Sequence, residues 1–239
     1  MASVALFDPC YMSMLRPRDA ANAQRVLEAL GDEVTLLDGR CCGQPAFNSG
    51  YRGEARTVGR ELLRAAQPFG SIVLPSGSCS AMVQHYLPML FDGERRRGAQ
   101  RIAGRFHEFT SYVAAHERVD RLGLKLDGVV AYHDSCHGRR ELGITETVTG
   151  LLSRIEGLKV RRLPHEEECC GFGGTFSVKM REVSVAMMTA KLEEVSATGA
   201  KVLVSADFSC LAHLEAGARG MGLELEVWTI PELLARALG

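Results

Sequence analysis

The chain has 239 residues, 24% of them charged, with a formal net charge of −1, a balance that calls for neither nucleic acid nor an anionic membrane surface and leaves a protein or small-molecule partner. No stretch approaches the roughly 18 uninterrupted apolar residues of a membrane span, and the start, Met1-Ala2-Ser3-Val4-Ala5-Leu6-Phe7-Asp8, lacks the basic opening of a signal peptide. A soluble, cytoplasmic protein is expected, of a length that suits one large domain or two lobes of about 120 residues, each burying a core of its own.

Val4-Ala5-Leu6-Phe7 is a short apolar run that predicts a strand delivering Asp8 and Cys10. Asp19 is placed to cap a helix whose Ala23, Val26, Leu27 and Leu30 share one face, and Gly31 ends it. Val34-Thr35-Leu36-Leu37 reads as a second strand leading to Cys41-Cys42-Gly43, followed by a turn-rich segment from Gln44 to Gly53 and a helix. Ser71-Ile72-Val73-Leu74 forms a third strand that leads through Pro75 to Cys79. Arg95, Arg96, Arg97, Arg101 and Arg105 make a basic run on a solvated loop and helix surface, where an acidic partner could dock, and Phe106 to Val113 reads as a strand end turning into a helix.

The same plan then repeats. Val129-Val130-Ala131-Tyr132 delivers Asp134 and Cys136, and Leu158 to Leu163 is placed as a strand by position more than by alternation. Cys169-Cys170-Gly171 precedes a turn-rich segment, Phe172 to Ser177, in which Phe176 matches Phe47. A helix with an apolar stripe of Val183, Ala186, Met187 and Ala190 follows, stopped by Gly199. Lys201-Val202-Leu203-Val204 leads through Asp207 to Cys210, and Val227 to Leu234 mirrors the earlier strand-to-helix tail.

Short apolar strands alternating with helices are those of buried parallel sheets. The fold class is therefore α/β, two duplicated small parallel-sheet lobes, residues 1–122 and 123–239. Open parallel sheets bind ligands beyond the carboxyl ends of their strands, which is where all the cysteines fall.

All eight cysteines are used by the repeat: Cys10, Cys41, Cys42 and Cys79 in the first copy, Cys136, Cys169, Cys170 and Cys210 in the second. Thiolate sulfur selects iron–sulfur clusters, zinc or cuprous copper. Structural zinc sites usually draw on pairs two to four residues apart, and no such cysteine pair occurs here. Adjacent thiolates fit neighbouring irons of a cluster better than one tetrahedral ion, so clusters are favoured and zinc is the alternative occupant. Glycine after each pair lets the backbone approach and point N–H groups at sulfur, and the helix beyond would bring its positive end to an anionic cluster. Glu166, Glu167 and Glu168, just before Cys169, are expected to face solvent.

A disulfide framework is disfavoured in a reducing cytosol. A redox-active vicinal dithiol is harder to exclude, although it would be strained and would leave Cys10, Cys79, Cys136 and Cys210 without a purpose. His133 and His137 flank Cys136 and are read as surface groups or as hydrogen-bonding partners of a cluster sulfur, not as catalytic bases. Gly171-Phe172-Gly173-Gly174 lacks the preceding strand and the full glycine spacing of a nucleotide loop.

The pattern resembles the cysteine-rich, or CCG-domain, family: a cysteine, a Cys-Cys-Gly, then a Cys-x-x-Cys, with the module usually present twice. The segments Phe7-Asp8-Pro9-Cys10, Cys41-Cys42-Gly43-Gln44-Pro45-Ala46-Phe47-Asn48-Ser49-Gly50, Pro75-Ser76-Gly77-Ser78-Cys79 and Glu168-Cys169-Cys170-Gly171-Phe172-Gly173-Gly174-Thr175-Phe176-Ser177 are most similar to its lactate-utilisation branch, and the likeness runs the length of the chain. The resemblance implies an iron–sulfur electron-transfer oxidoreductase subunit that acts with partner subunits of a complex oxidising L-lactate to pyruvate. It implies one cluster per lobe, of the 4Fe-4S kind, on the two cysteine sets. Kinship with the CCG subunit of heterodisulfide reductase permits a second reading, a thiol–disulfide catalyst, and a zinc-stabilised binding module is the third. The chain departs from the pattern in having Met82 and His213 where each Cys-x-x-Cys would end. Met82 is expected in the core, and His213 is either a nitrogen ligand or a surface or packing residue.

Overall fold

The computed structural model describes residues 3–38 and 41–239. Strands β1 (Ser3–Leu6), β2 (Glu33–Leu36), β3 (Ile72–Leu74) and β4 (Phe106–Glu108) form one parallel sheet in the order β2-β1-β3-β4. Strands β5 (Lys125–Tyr132), β6 (Glu156–Arg162), β7 (Val202–Ser205) and β8 (Glu226–Thr229) form a second in the order β6-β5-β7-β8. The registers coincide: Leu6 lies opposite Val73 in the first sheet and Tyr132 opposite Val204 in the second. Counting on from these pairs, Phe7 corresponds to His133, Asp8 to Asp134 and Cys10 to Cys136.

The weak alternation at Leu158 to Leu163 has a physical cause. β6 is an edge strand, as is β2, and most of its residues are exposed or half-buried, whereas β3 lies inside its sheet and is buried throughout. An edge carries less apolar surface and so writes a fainter pattern. The expected match of the two tails holds, since Glu108 and Thr229 each accept a hydrogen bond from the backbone of the helix they introduce, from Ser111 at 2.9 Å and from Glu232 at 3.3 Å.

Four helices lie between the two sheets: Arg18–Ala29 and Phe109–Ala115 from the first lobe, Thr145–Leu152 and Ile230–Ala237 from the second. Ala23, Val26, Leu27 and Leu30 point inward as their spacing predicts, and join Leu6, Phe109, Tyr132, Leu151 and Leu233 in one cluster contributed by both lobes. Each fully buried Leu or Phe side chain there contributes about 1.5–3 kcal/mol. Two further cores cover the outer faces, one around Phe7, Leu62, Ile72 and Met82, the other around Leu192, Leu203, Leu211 and Leu214. The lobes thus do not stand on separate cores alone, because a third core is held in common.

Two local readings are corrected. Asp19 lies inside the first turn of its helix, which begins at Arg18 after Pro17. Helix Arg181–Ala197 does not bury the stripe of Val183, Ala186, Met187 and Ala190; Val183 is 47% exposed, and Ser184, Lys191, Leu192 and Val195 turn inward. Polar anchors set that rotation. The Ser184 hydroxyl donates to the Gly171 carbonyl at 2.7 Å, and the buried Lys191 ammonium donates to the His165 carbonyl at 2.5 Å and to Glu194 at 2.9 Å.

Candidate metal centres

In each lobe the first three strands end below their cysteines. Cys10 opens the short helix that follows β1, Cys41 and Cys42 come after β2, and Cys79 lies in helix Gly77–Ala81 after β3. Ser76 caps that last helix by accepting from the Cys79 N–H at 3.4 Å. β1 and β3 leave the sheet on opposite sides of its topological switch point, the crevice that open parallel sheets use for ligands. There the Cys10 and Cys41 sulfurs lie 3.6 Å apart, and those of Cys42 and Cys79 lie 3.2 Å apart. In the second lobe Cys136 lies against Cys169, and Cys170 against Cys210. All eight are free thiols, so the sequence-distant cysteines converge as two sets of four without a disulfide.

The glycine of each Cys-Cys-Gly has the expected task. Gly43 and Gly171 adopt φ of 87° and 89°, a left-handed backbone that side chains disfavour. Their N–H groups donate to the sulfurs of Cys41 at 3.3 Å and Cys169 at 3.4 Å. A β-carbon at Gly171 would sit 2.5 Å from the Ser184 carbonyl oxygen, and one at Gly43 would sit 3.2 Å from that of Ala55. The segments beyond are short helices, Gln44–Asn48 and Phe176–Lys179, so at Cys41 and Cys169 single N–H groups, not long helix dipoles, meet the sulfurs.

Packed thiols share protons unevenly. Hydrogen bonds from Cys10 and Cys42, and then from the Gly43 backbone, hold the Cys41 thiol down at about 3 against the effect of burial. Cys169 is held down in the same way by Cys136, Cys170 and Gly171. Their neighbours Cys10, Cys42, Cys136 and Cys170 are pushed up, first by those same hydrogen bonds and then by burial. Within each set, Cys41 and Cys169 are thus the cysteines whose surroundings favour the thiolate, which is the form a metal binds.

The two sets are neighbours, each fenced partly by the other lobe. The Gly77 N–H donates to the Ala206 carbonyl at 3.0 Å, and the Ser78 N–H donates to the Asp207 carboxylate at 2.5 Å. Gln44, next to the first Cys-Cys-Gly, approaches His137 at 3.3 Å, while the other ring nitrogen of His137 lies 3.7 Å from the Cys136 sulfur. Tyr11, beside Cys10, packs its ring on Phe172 and Phe208 of the second lobe, at centroid distances of 5.9 and 5.6 Å.

Other candidates sort by the same geometry. His137 touches a thiol as expected. His213 turns to the Ser184 hydroxyl at 3.4 Å and to the Phe172 ring, and burial lowers its basicity. Met82 is fully buried in the outer core of its lobe. Glu167 and Glu168 are exposed, and Glu166 is neutralised by Arg139 at 3.1 Å and Arg162 at 2.6 Å. Arg95, Arg96, Arg97 and Arg101 are solvated, whereas Arg105 donates to the carbonyls of Gln67 and Phe69.

His133, expected as a surface group or as a hydrogen-bonding partner of a cluster sulfur, is not at the surface. His133 is fully buried, and a ring nitrogen lies within 4.8 Å of the sulfurs of Cys170 and Cys210, which lie within the same distance of each other. The signal was available in the repeat, where an apolar Phe7 faces an ionisable His133. Clustered soft donors with an imidazole beside them suit metal binding.

The family description "Cysteine-rich domain" (CCG) matches residues 4–84 and 130–215, spanning each thiol set. "Lactate utilization protein A 1" of Bacillus anthracis is 36% identical over 238 residues, covering 98% of both chains. "Lactate utilization protein A" of Bacillus thuringiensis is 38% identical over 234 residues, covering 97% of this chain and 98% of its own. Among solved structures, an aspartate racemase homologue from Pyrococcus horikoshii is 12% identical with a TM-score of 0.35, covering 100% of this chain and 97% of its own, a likeness that carries no argument. With the module matched twice around the converging thiols, and relatives matched end to end, the chain belongs to the cysteine-rich (CCG) domain family.

Proposed function

We propose that the protein is an iron–sulfur electron-transfer subunit of a cytoplasmic L-lactate-oxidising system. One cluster would be held by Cys10, Cys41, Cys42 and Cys79 and another by Cys136, Cys169, Cys170 and Cys210. The observation that carries this reading is the gathering of eight free thiols into two sets at the strand ends. The names of the relatives point to lactate.

A bound cluster supplies one-electron chemistry. The rest belongs to the chain: Cys41 with Cys42 and Cys169 with Cys170 would supply adjacent thiolates to it, the Gly43 and Gly171 N–H groups would stabilise sulfur charge, and burial of Cys42, Cys79, Cys170 and Cys210 keeps water from half of each set. The link from Cys136 through His137 to Gln44 joins the surroundings of the two sets. Partner subunits would bind and oxidise the substrate. Protein purified without air should contain iron and acid-labile sulfide and give an electron paramagnetic resonance (EPR) signal on reduction; colourless, iron-free protein after reconstitution overturns the reading, and stoichiometric zinc without redox activity replaces it with a zinc-stabilised module.

A thiol–disulfide catalyst is the second reading, favoured by the 3.2 Å approach of the Cys42 and Cys79 sulfurs. It predicts iron-free active protein that reversibly loses two thiols per lobe on mild oxidation.

A further inference from the structure

The two lobes present the same backbone and different donors to their thiols. Phe7 and His133 each follow the first strand of a sheet, and each continues the ladder through its N–H, to Val73 at 3.0 Å and to Val204 at 2.9 Å. Their side chains are equally buried, with no exposed surface. Phe7 has nothing to satisfy and joins the outer core. His133 has two ring nitrogens, and among the described residues neither finds a partner in hydrogen-bond geometry, its nearest polar neighbour being the Cys210 sulfur, whose charge it favours.

An unpartnered polar group in a dry interior costs about 1–3 kcal/mol, a cost that phenylalanine at the same place avoids. The imidazole nevertheless lies within 4.8 Å of two thiol sulfurs that are themselves buried. An orphaned imidazole beside two soft donors is explained by something that takes its nitrogen lone pair, and a metal does so.

We infer that His133 is a nitrogen ligand, beside Cys170 and Cys210, of the metal centre in the C-terminal lobe, so that the two centres differ in kind. The N-terminal centre has thiolates alone, while the C-terminal one has a mixed sulfur and nitrogen set. The inference rests on reading both thiol sets as metal sites.

The test uses full-length protein whose histidines carry the heavy nitrogen isotope, prepared without air and loaded with iron and sulfide. Pulsed EPR is recorded on the reduced protein and on the variant Cys41→Ser/Cys42→Ser, whose N-terminal set is disabled. The expected result is a strong nitrogen coupling that responds to the label, survives in that variant and disappears in His133→Phe, which copies Phe7. Iron in the C-terminal set with only the weak coupling of a hydrogen-bond donor overturns the inference, whether or not His133→Phe folds. Should the protein take up no iron, the cluster reading alone fails and cobalt(II) becomes the probe. Cobalt should then bind with a mixed sulfur and nitrogen spectrum, and at least about tenfold more weakly in His133→Phe; equal affinity with an unchanged spectrum overturns the ligand role. Uptake of neither metal overturns both readings.

Discussion

Position for position, Phe7, Leu62, Leu74 and Ser76 of the N-terminal lobe correspond to His133, Lys191, Ser205 and Asp207 of the C-terminal lobe, all eight of them buried. Asp8 and Asp134 extend the contrast. Asp8 has a buried oxygen without a partner among the described residues, and burial raises its pKa. Asp134 accepts from Tyr132 at 3.2 Å, Arg139 at 3.0 Å and Thr145 at 2.6 Å. One skeleton therefore carries two kinds of wall. At these positions the first lobe is mainly apolar and the second is polar and hydrogen-bonded, so the same substitution should cost differently in the two lobes.

The largest effect expected is on metal content. Cys42→Ala and Cys170→Ala should each remove the metal of their own lobe and leave the other, halving iron per chain. Loss of all iron from either variant would show that the sites are not independent and would break the comparison at its root.

Next comes the pair Asp207 and Ser76, which correspond in the repeat. Asp207 accepts from Ser209 in its own helix at 3.0 Å and from Ser78 across the lobe boundary at 2.5 Å, whereas Ser76 caps one helix only. Asp207→Ala should lower stability by about 3 kcal/mol and Ser76→Ala by about 1 kcal/mol, read from urea unfolding of anaerobic protein. Equal losses would deny the cross-lobe role of Asp207.

Gly171→Ala and Gly43→Ala sharpen the contrast further, since both force a left-handed alanine but only Gly171 faces a carbonyl oxygen at 2.5 Å. Losses of about 2–3 and about 1–2 kcal/mol are expected. The smallest effect is that of Gln44→Ala, which removes one contact to His137 and one bond to the Ser78 carbonyl at 3.2 Å; a loss of about 1 kcal/mol should appear in the same unfolding measurement.

Much of this was legible along the chain. Val4 to Phe7 and Val129 to Tyr132 showed themselves as strands because apolar residues crowd into short runs, and Ala23, Val26, Leu27 and Leu30 showed a helix face because its period is local. The doubled Cys-Cys-Gly, with its outlying cysteines, placed two thiol sets at strand ends, and Gly43 and Gly171 declared the tight turn beneath each. Val183 and Ala186 misled, since the rotation of their helix is set by Ser184 and Lys191 bonding to the cysteine-bearing loop and not by the apolar pattern.

The sequence by itself determined the α/β class, the duplication and the membership of each thiol set, all of which follow from order and spacing within a lobe. Only the tertiary structure decided that the lobes share a core, that Asp207 caps a helix 129 residues away, and that His133 stands fully buried beside Cys170 and Cys210. Those outcomes depend on which buried polar group finds a partner, and that is settled by contacts between distant segments and not by any local pattern.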